Sequence, residues 1–170
     1  RDKYFSNTRD SKSWRGCQRD STPVDDTTTP LFEEHFKDKC AVLRRAADLH
    51  GVDCLIVPSG SLVYPHSDDN PYSYRVAPHF RTLLPGFERP GSYLLFDGRE
   101  KPVLYLSSSE DFWHSPPEPV PDAYASLMTV VNSPDARASV QAGLAGLRWA
   151  VLGECEDAVF QGSAAISDQV

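Results

Sequence analysis

The chain has 170 residues, of which 40% are hydrophobic and 11% aromatic, and its formal net charge is −7. This is the length of one domain, with enough apolar side chain for one sizeable core. An acidic chain without a basic cluster does not suit nucleic acid or an anionic membrane surface as a partner, because both attract grouped Lys and Arg.

Residues 1–30 differ in composition from the rest of the chain. They are rich in Ser, Thr, Asp and Arg, and they show no apolar periodicity. This pattern is typical of a flexible extension. We therefore predict an extension over residues 1–30 and one domain over residues 31–170.

The domain begins with a predicted helix. Thr29 suits an N-cap, Pro30 the first helical position and Gly51 the end of the helix. One apolar stripe recurs at helical spacing: Phe32, Phe36, Cys40, Leu43 and Ala47. The apolar run 54–57 that follows predicts a buried strand, and this succession is typical of α/β packing.

A long, irregular segment is predicted over residues 59–91, and a β-hairpin follows it. The apolar runs Tyr93–Phe96 and Val103–Leu106 flank Asp97-Gly98, which favours a tight turn between strands. A second irregular stretch covers residues 107–122.

The last third of the chain predicts two strands joined by a helix. The strands are Leu127–Val131 and Trp149–Leu152, and the helix starts at residues 133–135. Its inner face is predicted to consist of Val140, Leu144 and Leu147. The predicted fold class is α/β, with a mixed β-sheet flanked by helices.

The four cysteines, Cys17, Cys40, Cys54 and Cys155, have no C-x-x-C spacing, which argues against a zinc knuckle or a redox dithiol. Cys40 and Cys54 lie in apolar patterns and are predicted to be small core residues. This usage favours a reducing compartment, and neither a membrane span nor a signal peptide is visible. We expect a cytoplasmic protein.

A family resemblance is spread over most of the domain. It is carried by Ser59-Gly60, residues 68–80, Leu84-Pro85, Asp97-Gly98, Lys101-Pro102, Asp111-Phe112-Trp113-His114 and residues 150–154. In this order and spacing, the chain resembles the amino-terminal domain of bacterial Xaa-Pro dipeptidases (prolidases) and of the related organophosphorus acid anhydrolases. The resemblance implies the creatinase/prolidase amino-terminal fold, an α/β fold with a mixed sheet.

The resemblance also implies a division of labour. In this family a separate carboxy-terminal half binds two divalent metals, usually manganese, and cleaves dipeptides that have proline in second position. The enzymes are homodimers, and a loop of the amino-terminal domain reaches into the partner's active site. No position of this chain matches a metal ligand of the family, so we expect neither a catalytic residue nor a cofactor in it.

The predicted function is therefore non-catalytic. The chain would contribute dimerisation, a lid and substrate recognition to a metallopeptidase. The alternative is a stand-alone binding or dimerisation module without peptidase activity.

Three residues are implied by the resemblance to face the substrate across the dimer: Asp69, Trp113 and His114. Asp69 would meet the free amino group of the dipeptide, whereas the plain alternative for Asp68-Asp69 is a solvated turn. Trp113 would form a wall against the proline ring or, alternatively, anchor its loop to the sheet. His114 alone is more often a hydrogen-bonded structural residue.

Two further features leave alternatives open. Two groups of residues contain side chains of the types that bind metals, and an autonomous metal hydrolase would use them. The first group is His66, Asp68 and Asp69, and the second is Glu110, Asp111 and His114. The aromatic residues Tyr72, Tyr74, Phe80 and Phe87 suit either a dimer interface or ordinary packing of a long loop.

Overall fold

The computed structural model describes residues 28–66, 69–108, 119–153, 160 and 165–166. In chain order its elements are α1 (Thr28–His50), β1 (Cys54–Pro58), α2 (Pro78–Leu83), β2 (Tyr93–Phe96), β3 (Val103–Ser107), α3 (Asp122–Ala125), β4 (Thr129–Ser133), α4 (Ala136–Gly143), β5 (Trp149–Leu152) and β6 (Ala165–Ile166). The extension predicted over residues 1–30 lies almost wholly outside the described residues and stays a prediction.

The strands form one mixed sheet in the order β4-β3-β2-β1-β5-β6. Only β2 runs against its neighbours, β1 and β3, and the other adjacent strands pair in parallel. The predicted fold class is therefore confirmed. Because the five remaining strands share one direction, their carboxyl ends lie at one edge of the sheet, which we call the carboxyl edge.

Helices cover both faces of the sheet. On one face, α1 and α2 pack against residues such as Leu55 and Val57 of β1. On the other face, α4 packs against a cluster that includes Cys54 and Ile56. Successive strand residues point to opposite faces, so a strand covered on both sides is apolar throughout, and all of β1 is buried.

The predicted core cysteines are confirmed. Cys40 and Cys54 are buried free thiols. Burial raises the pKa of Cys40 and raises the pKa of Cys54 to about 12. Both therefore stay protonated and unreactive at neutral pH, as expected of residues whose role is packing.

The amino-terminal half differs from the prediction in two places. Helix α1 begins at Thr28, so Thr29 is not its N-cap, and Pro30 lies inside the first turn, where its missing N–H costs no intrahelical bond. The segment predicted to be irregular contains α2, which starts at Pro78 and buries Phe80 and Leu83.

The carboxy-terminal half also differs. The strand predicted over Leu127–Val131 is β4, two residues further on, and α3 and β6 were not predicted. Val140 and Leu144 are buried as expected, but the prediction for Leu147 was wrong, since 38% of it is exposed. Helix α4 ends at Gly143, so Leu147 lies in the following turn and no longer shares the helix's inner face.

Across the residues with described structure, no helix is both long and apolar enough to span a bilayer.

Candidate functional site

A hydrogen-bonded neck closes the long loop that leaves β1 at the carboxyl edge. The Ser59 N–H donates to the Ser92 carbonyl over 2.8 Å, and the Gly91 N–H donates to the Gly60 carbonyl over 2.9 Å. The Ala77 N–H donates to the Ser59 carbonyl over 2.9 Å, which brings the far end of the loop back to its start. We call these five residues the loop neck, and residues 61–76 between its two ends the apical loop.

The hydroxyl of Ser59 is buried inside the neck. Ser59 is 0% exposed, its Oγ donates to the Arg89 carbonyl over 2.8 Å, and the same Oγ accepts the Ser92 N–H over 2.9 Å. The Tyr74 hydroxyl donates to the Ser59 carbonyl over 2.9 Å. One buried hydroxyl therefore ties the end of β1 to the turn before β2.

Gly60 makes the chain turn out of the sheet. Its φ is +96°, a region that side chains with a Cβ rarely adopt. A Cβ there would contact the Arg75 carbonyl at 3.6 Å. The backbone conformation and hydrogen bonds of Ser59 and Gly60 thus determine where the apical loop starts.

The apical loop exposes apolar side chains. Leu62, Val63, Tyr64 and Tyr72 are four of the eight large hydrophobic residues exposed in the described part of the chain. Tyr72 is 62% exposed, and its N–H donates to the Val63 carbonyl over 2.8 Å, which joins the two limbs of the loop. Clustered apolar exposure on a well-anchored loop is typical of contact surfaces.

Asp69 belongs to the same loop. It is exposed, so its carboxylate can meet a ligand or a second protein without rearrangement of the core. Asp68 and Ser67 lie outside the described residues. The structure therefore agrees with both readings of Asp69, a solvated turn and a recognition carboxylate.

The four aromatic residues of the predicted aromatic face do not act together. Phe80 and Phe87 are buried in the core, with ring centroids 6.2 Å apart, and Tyr74 is half-buried at the neck. Burial raises the pKa of Tyr74. Only Tyr72 remains available for an interface, so ordinary packing accounts for the other three.

Helix α2 stands beside the neck at the carboxyl edge. Gly153, at the end of β5, has a φ of +95°, and a Cβ there would come within 2.9 Å of the His79 ring. The glycine thus lets the helix approach the end of β5. Residues 150–154, which carry part of the family resemblance, thus include the glycine that this close approach requires.

Two of the three predicted site residues, Trp113 and His114, lie outside the described residues. The same holds for Glu110 and Asp111, which belong to the alternative metal cluster. Strand β3, which precedes them, ends at the carboxyl edge with Ser107, and the Ser108 N–H donates to the Ser133 carbonyl over 2.8 Å. Strand β3 therefore ends at the edge from which the apical loop starts.

The described residues do not offer a metal site. Within residues 28–66, 69–108 and 119–153, no three His, Cys, Asp or Glu side chains come together as ligands. His66 and Asp69 are both exposed and belong to no such group.

Sequence reasoning missed the residues that hold the site. Ser59 and Ser92 are the buried polar residues of the described chain, and neither was singled out for chemistry. The sequence signal for this buried neck was Ser59-Gly60, which directly follows the apolar run of β1 at the point where the strand ends. Within the described part, the Ser92 Oγ is buried without a hydrogen-bond partner.

Comparison with known proteins gives a consistent family. The sequence profile of the family described as "Xaa-Pro dipeptidase, N-terminal domain" matches residues 30–167. The Xaa-Pro dipeptidase of Pseudoalteromonas atlantica is 34% identical over 90 residues, which are 52% of this chain and 20% of that protein. That of Yersinia pestis is 34% identical over 99 residues, 58% of this chain and 22% of that protein.

Solved structures agree on the fold. Two structures of Escherichia coli aminopeptidase P, one of an alanine variant and one at low pH, superpose with a TM-score of 0.50. They are 16% and 18% identical to this chain and cover 74% and 75% of it. At such identity the likeness concerns the fold alone. The chain spans about a fifth of the length of the curated relatives it matches.

Proposed function

Because this chain belongs to the family of Xaa-Pro dipeptidase amino-terminal domains, we propose that it is the non-catalytic domain of a metal-dependent Xaa-Pro dipeptidase. In this proposal it pairs two subunits, covers the active site and recognises the amino end of the substrate. The catalytic residues and two divalent metals, by the family resemblance manganese, belong to a second domain. We also propose a cytoplasmic location, supported by the free thiols of Cys40 and Cys54.

The observation that carries the proposal is the apical loop. It is anchored at both ends by the loop neck, exposes four large apolar side chains and presents the exposed carboxylate of Asp69. An anchored loop with an apolar surface suits a contact with another subunit, and a carboxylate in that contact suits an ammonium group. This combination supports recognition of a free amino terminus from across a subunit boundary.

Asp69→Ala in the full-length enzyme tests the role of the carboxylate. Loss of one partner of a charge-assisted hydrogen bond costs about 1.5–3 kcal/mol, so kcat/KM for Ala-Pro should fall about 10- to 150-fold. Metal content, measured by mass spectrometry, should not change. The matched control is Asp48→Ala, which removes an exposed carboxylate from α1 and should leave kcat/KM unaltered.

A second substrate makes the test specific. N-acetyl-Ala-Pro lacks the ammonium group, so the wild-type preference for Ala-Pro over the acetylated form should shrink in Asp69→Ala. If the variant kept the full wild-type kcat/KM and preference, the recognition role of Asp69 would be wrong.

Action across the subunit boundary is tested by combining two chains with different defects, one with impaired recognition and one without catalysis. Asp69→Ala chains are co-expressed with chains whose second domain lacks its metal ligands. If the loop acts on the neighbouring subunit, the mixed dimer contains one complete site and regains activity. Absence of any regain in a mixed dimer confirmed by native mass spectrometry would show that Asp69 acts within its own subunit.

The stand-alone module remains the alternative and makes a different prediction. As a binding module, it requires that the purified 170-residue chain bind proline-containing dipeptides by itself. Isothermal titration with Ala-Pro separates the two, because the dipeptidase proposal expects no measurable binding to the isolated chain.

A further inference from the structure

Helix α1 carries a second apolar stripe, on a side that faces solvent. Leu31, Val42 and Leu49 are 68%, 45% and 83% exposed. Val42 lies 11 residues after Leu31, and Leu49 lies 7 residues after Val42. At 3.6 residues per turn the three side chains therefore point in the same direction to within about 20°, and they span about 27 Å of the helix. The buried stripe that includes Phe36 and Leu43 lies roughly 120° away around the axis.

Two opposite charges lie on the same exposed line. Asp38 and Arg45 are both exposed. Asp38 lies seven residues after Leu31, and from Asp38 to Leu49 the stripe continues in steps of four, three and four residues, the spacing of a helix–helix seam. Neither side chain makes a hydrogen bond or an ion pair within the described residues. We call Leu31, Asp38, Val42, Arg45 and Leu49 the outer stripe.

The outer stripe is held rigidly against the domain. The His35 ring, at its margin, is hydrogen-bonded to the Thr82 carbonyl over 2.8 Å. On the other side of the helix, the Arg44 guanidinium donates to the carbonyls of Arg99 and Glu100 over 3.1 and 2.9 Å. A fixed helix loses little conformational freedom when it binds, which favours association.

We propose that the outer stripe binds the outer stripe of a second copy of this chain, with the two α1 helices antiparallel. A parallel pair would set Asp38 against the partner's Asp38 and Arg45 against the partner's Arg45, and like charges oppose association. In the antiparallel pair with Leu31 across from the partner's Leu49, Asp38 lies across from the partner's Val42.

The same alignment brings the charges together. Asp38 is then within one helical turn of the partner's Arg45, and two-fold symmetry forms this ion pair twice. The charge order thus favours a copy of the same chain in the antiparallel orientation, in which Asp38 lies nearer along the axis to the partner's Arg45 than to the partner's Asp38. The inference deepens the pairing role in the proposed function and rests on it, but it does not depend on peptide hydrolysis.

Charge reversal tests the interface on the 170-residue chain by sedimentation equilibrium. Asp38→Arg and Arg45→Asp should each raise the dimer Kd by about tenfold or more, and the double variant should return to within about threefold of the wild type, because it restores opposite charges across the interface. The matched control is Asp48→Arg, on the same helix but outside the outer stripe. It should leave Kd unchanged.

Cross-linking tests the orientation. Leu31→Cys with Leu49→Cys in one chain should give disulfide-linked dimers under mild oxidation, whereas each single variant should cross-link no more than the wild type. Efficient cross-linking by Leu31→Cys alone would indicate parallel helices and overturn the proposal.

Two results separate this interface from the proposed function. A wild-type chain that stays monomeric, or a dimer that neither charge reversal weakens, overturns the outer-stripe interface. If Asp69→Ala still impairs Ala-Pro hydrolysis in the full-length enzyme, the proposed function stands even then, and pairing uses another surface.

Discussion

Replacement of Ser59 by alanine measures how firmly the loop neck holds. The change removes one hydroxyl, which donates to the Arg89 carbonyl and accepts the Ser92 N–H. The bond to Ser92 is buried and the one to Arg89 is partly buried. An orphaned buried group costs about 1–3 kcal/mol, and the partly buried carbonyl recovers some hydration, so we expect a loss of about 2–4 kcal/mol of unfolding free energy.

Urea titration followed by far-ultraviolet circular dichroism measures this loss. The matched control is Ser61→Ala, which removes an exposed serine hydroxyl two residues further on and should change the unfolding free energy by less than about 0.5 kcal/mol. Tyr74→Phe should lie between them, at about 0.5–1.5 kcal/mol. The Ser59 carbonyl that Tyr74 bonds keeps the Ala77 N–H as a second donor.

Hydrogen exchange locates the effect. In Ser59→Ala the Ser92 amide should lose protection, while amides in the centre of β1 keep theirs. If Ser59→Ala proved as stable as Ser61→Ala, the neck would not depend on the buried hydroxyl, and our account of how the apical loop is anchored would fail.

Two further predictions concern other parts of the fold. Gly153→Ala should lower the unfolding free energy by about 1–3 kcal/mol more than Gly86→Ala. Both glycines have positive φ, but an added Cβ would meet the His79 ring at Gly153 and nothing within 4 Å at Gly86. Equal losses of unfolding free energy would mean that the contact with the His79 ring has no energetic role. The second concerns pH: the hydrogen bonds that Arg148 donates lower the pKa of Asp53 to about 2, with N···O distances of 2.8–3.1 Å. A carboxyl whose folded-state pKa lies below its unfolded value of 3.8 stabilises the fold above about pH 4, and that contribution is lost as pH falls toward 2. Asp53→Asn should therefore flatten the acid-induced drop in the urea midpoint between pH 4 and 2, and an Asp53 pKa near 4 by NMR titration would refute this.

The regular elements were predictable where one physical signal dominated. The apolar stripe from Phe32 to Ala47 predicted helix α1, and the apolar run 54–57 predicted strand β1. Asp97-Gly98 predicted the β-hairpin, in which Leu94 pairs with Leu104. Helix α2 was missed because its six residues are too few to show a helical period. Burial of Leu147 was predicted wrongly because helical periodicity alone does not reveal that α4 ends at Gly143.

The candidate site was less predictable than the fold. Asp69 was found only through family resemblance, since an exposed aspartate next to another is most often a turn. Ser59 was not predicted to be buried, because a serine after a strand looks like the start of any loop. Its role depends on the Arg89 carbonyl and the Ser92 N–H, which lie about thirty positions away in sequence and meet it only once the sheet has formed.

The closed neck has a consequence for how such a domain can diversify. Since the anchoring bonds are made by backbone groups and by the hydroxyls of Ser59 and Tyr74, the other residues of the apical loop are not needed to keep the sheet intact. Each doubling of the length of such an excursion adds only about 0.6 kcal/mol of closure entropy. Apart from Tyr74, residues 61–76 can therefore change in sequence and in number while the scaffold beneath stays the same.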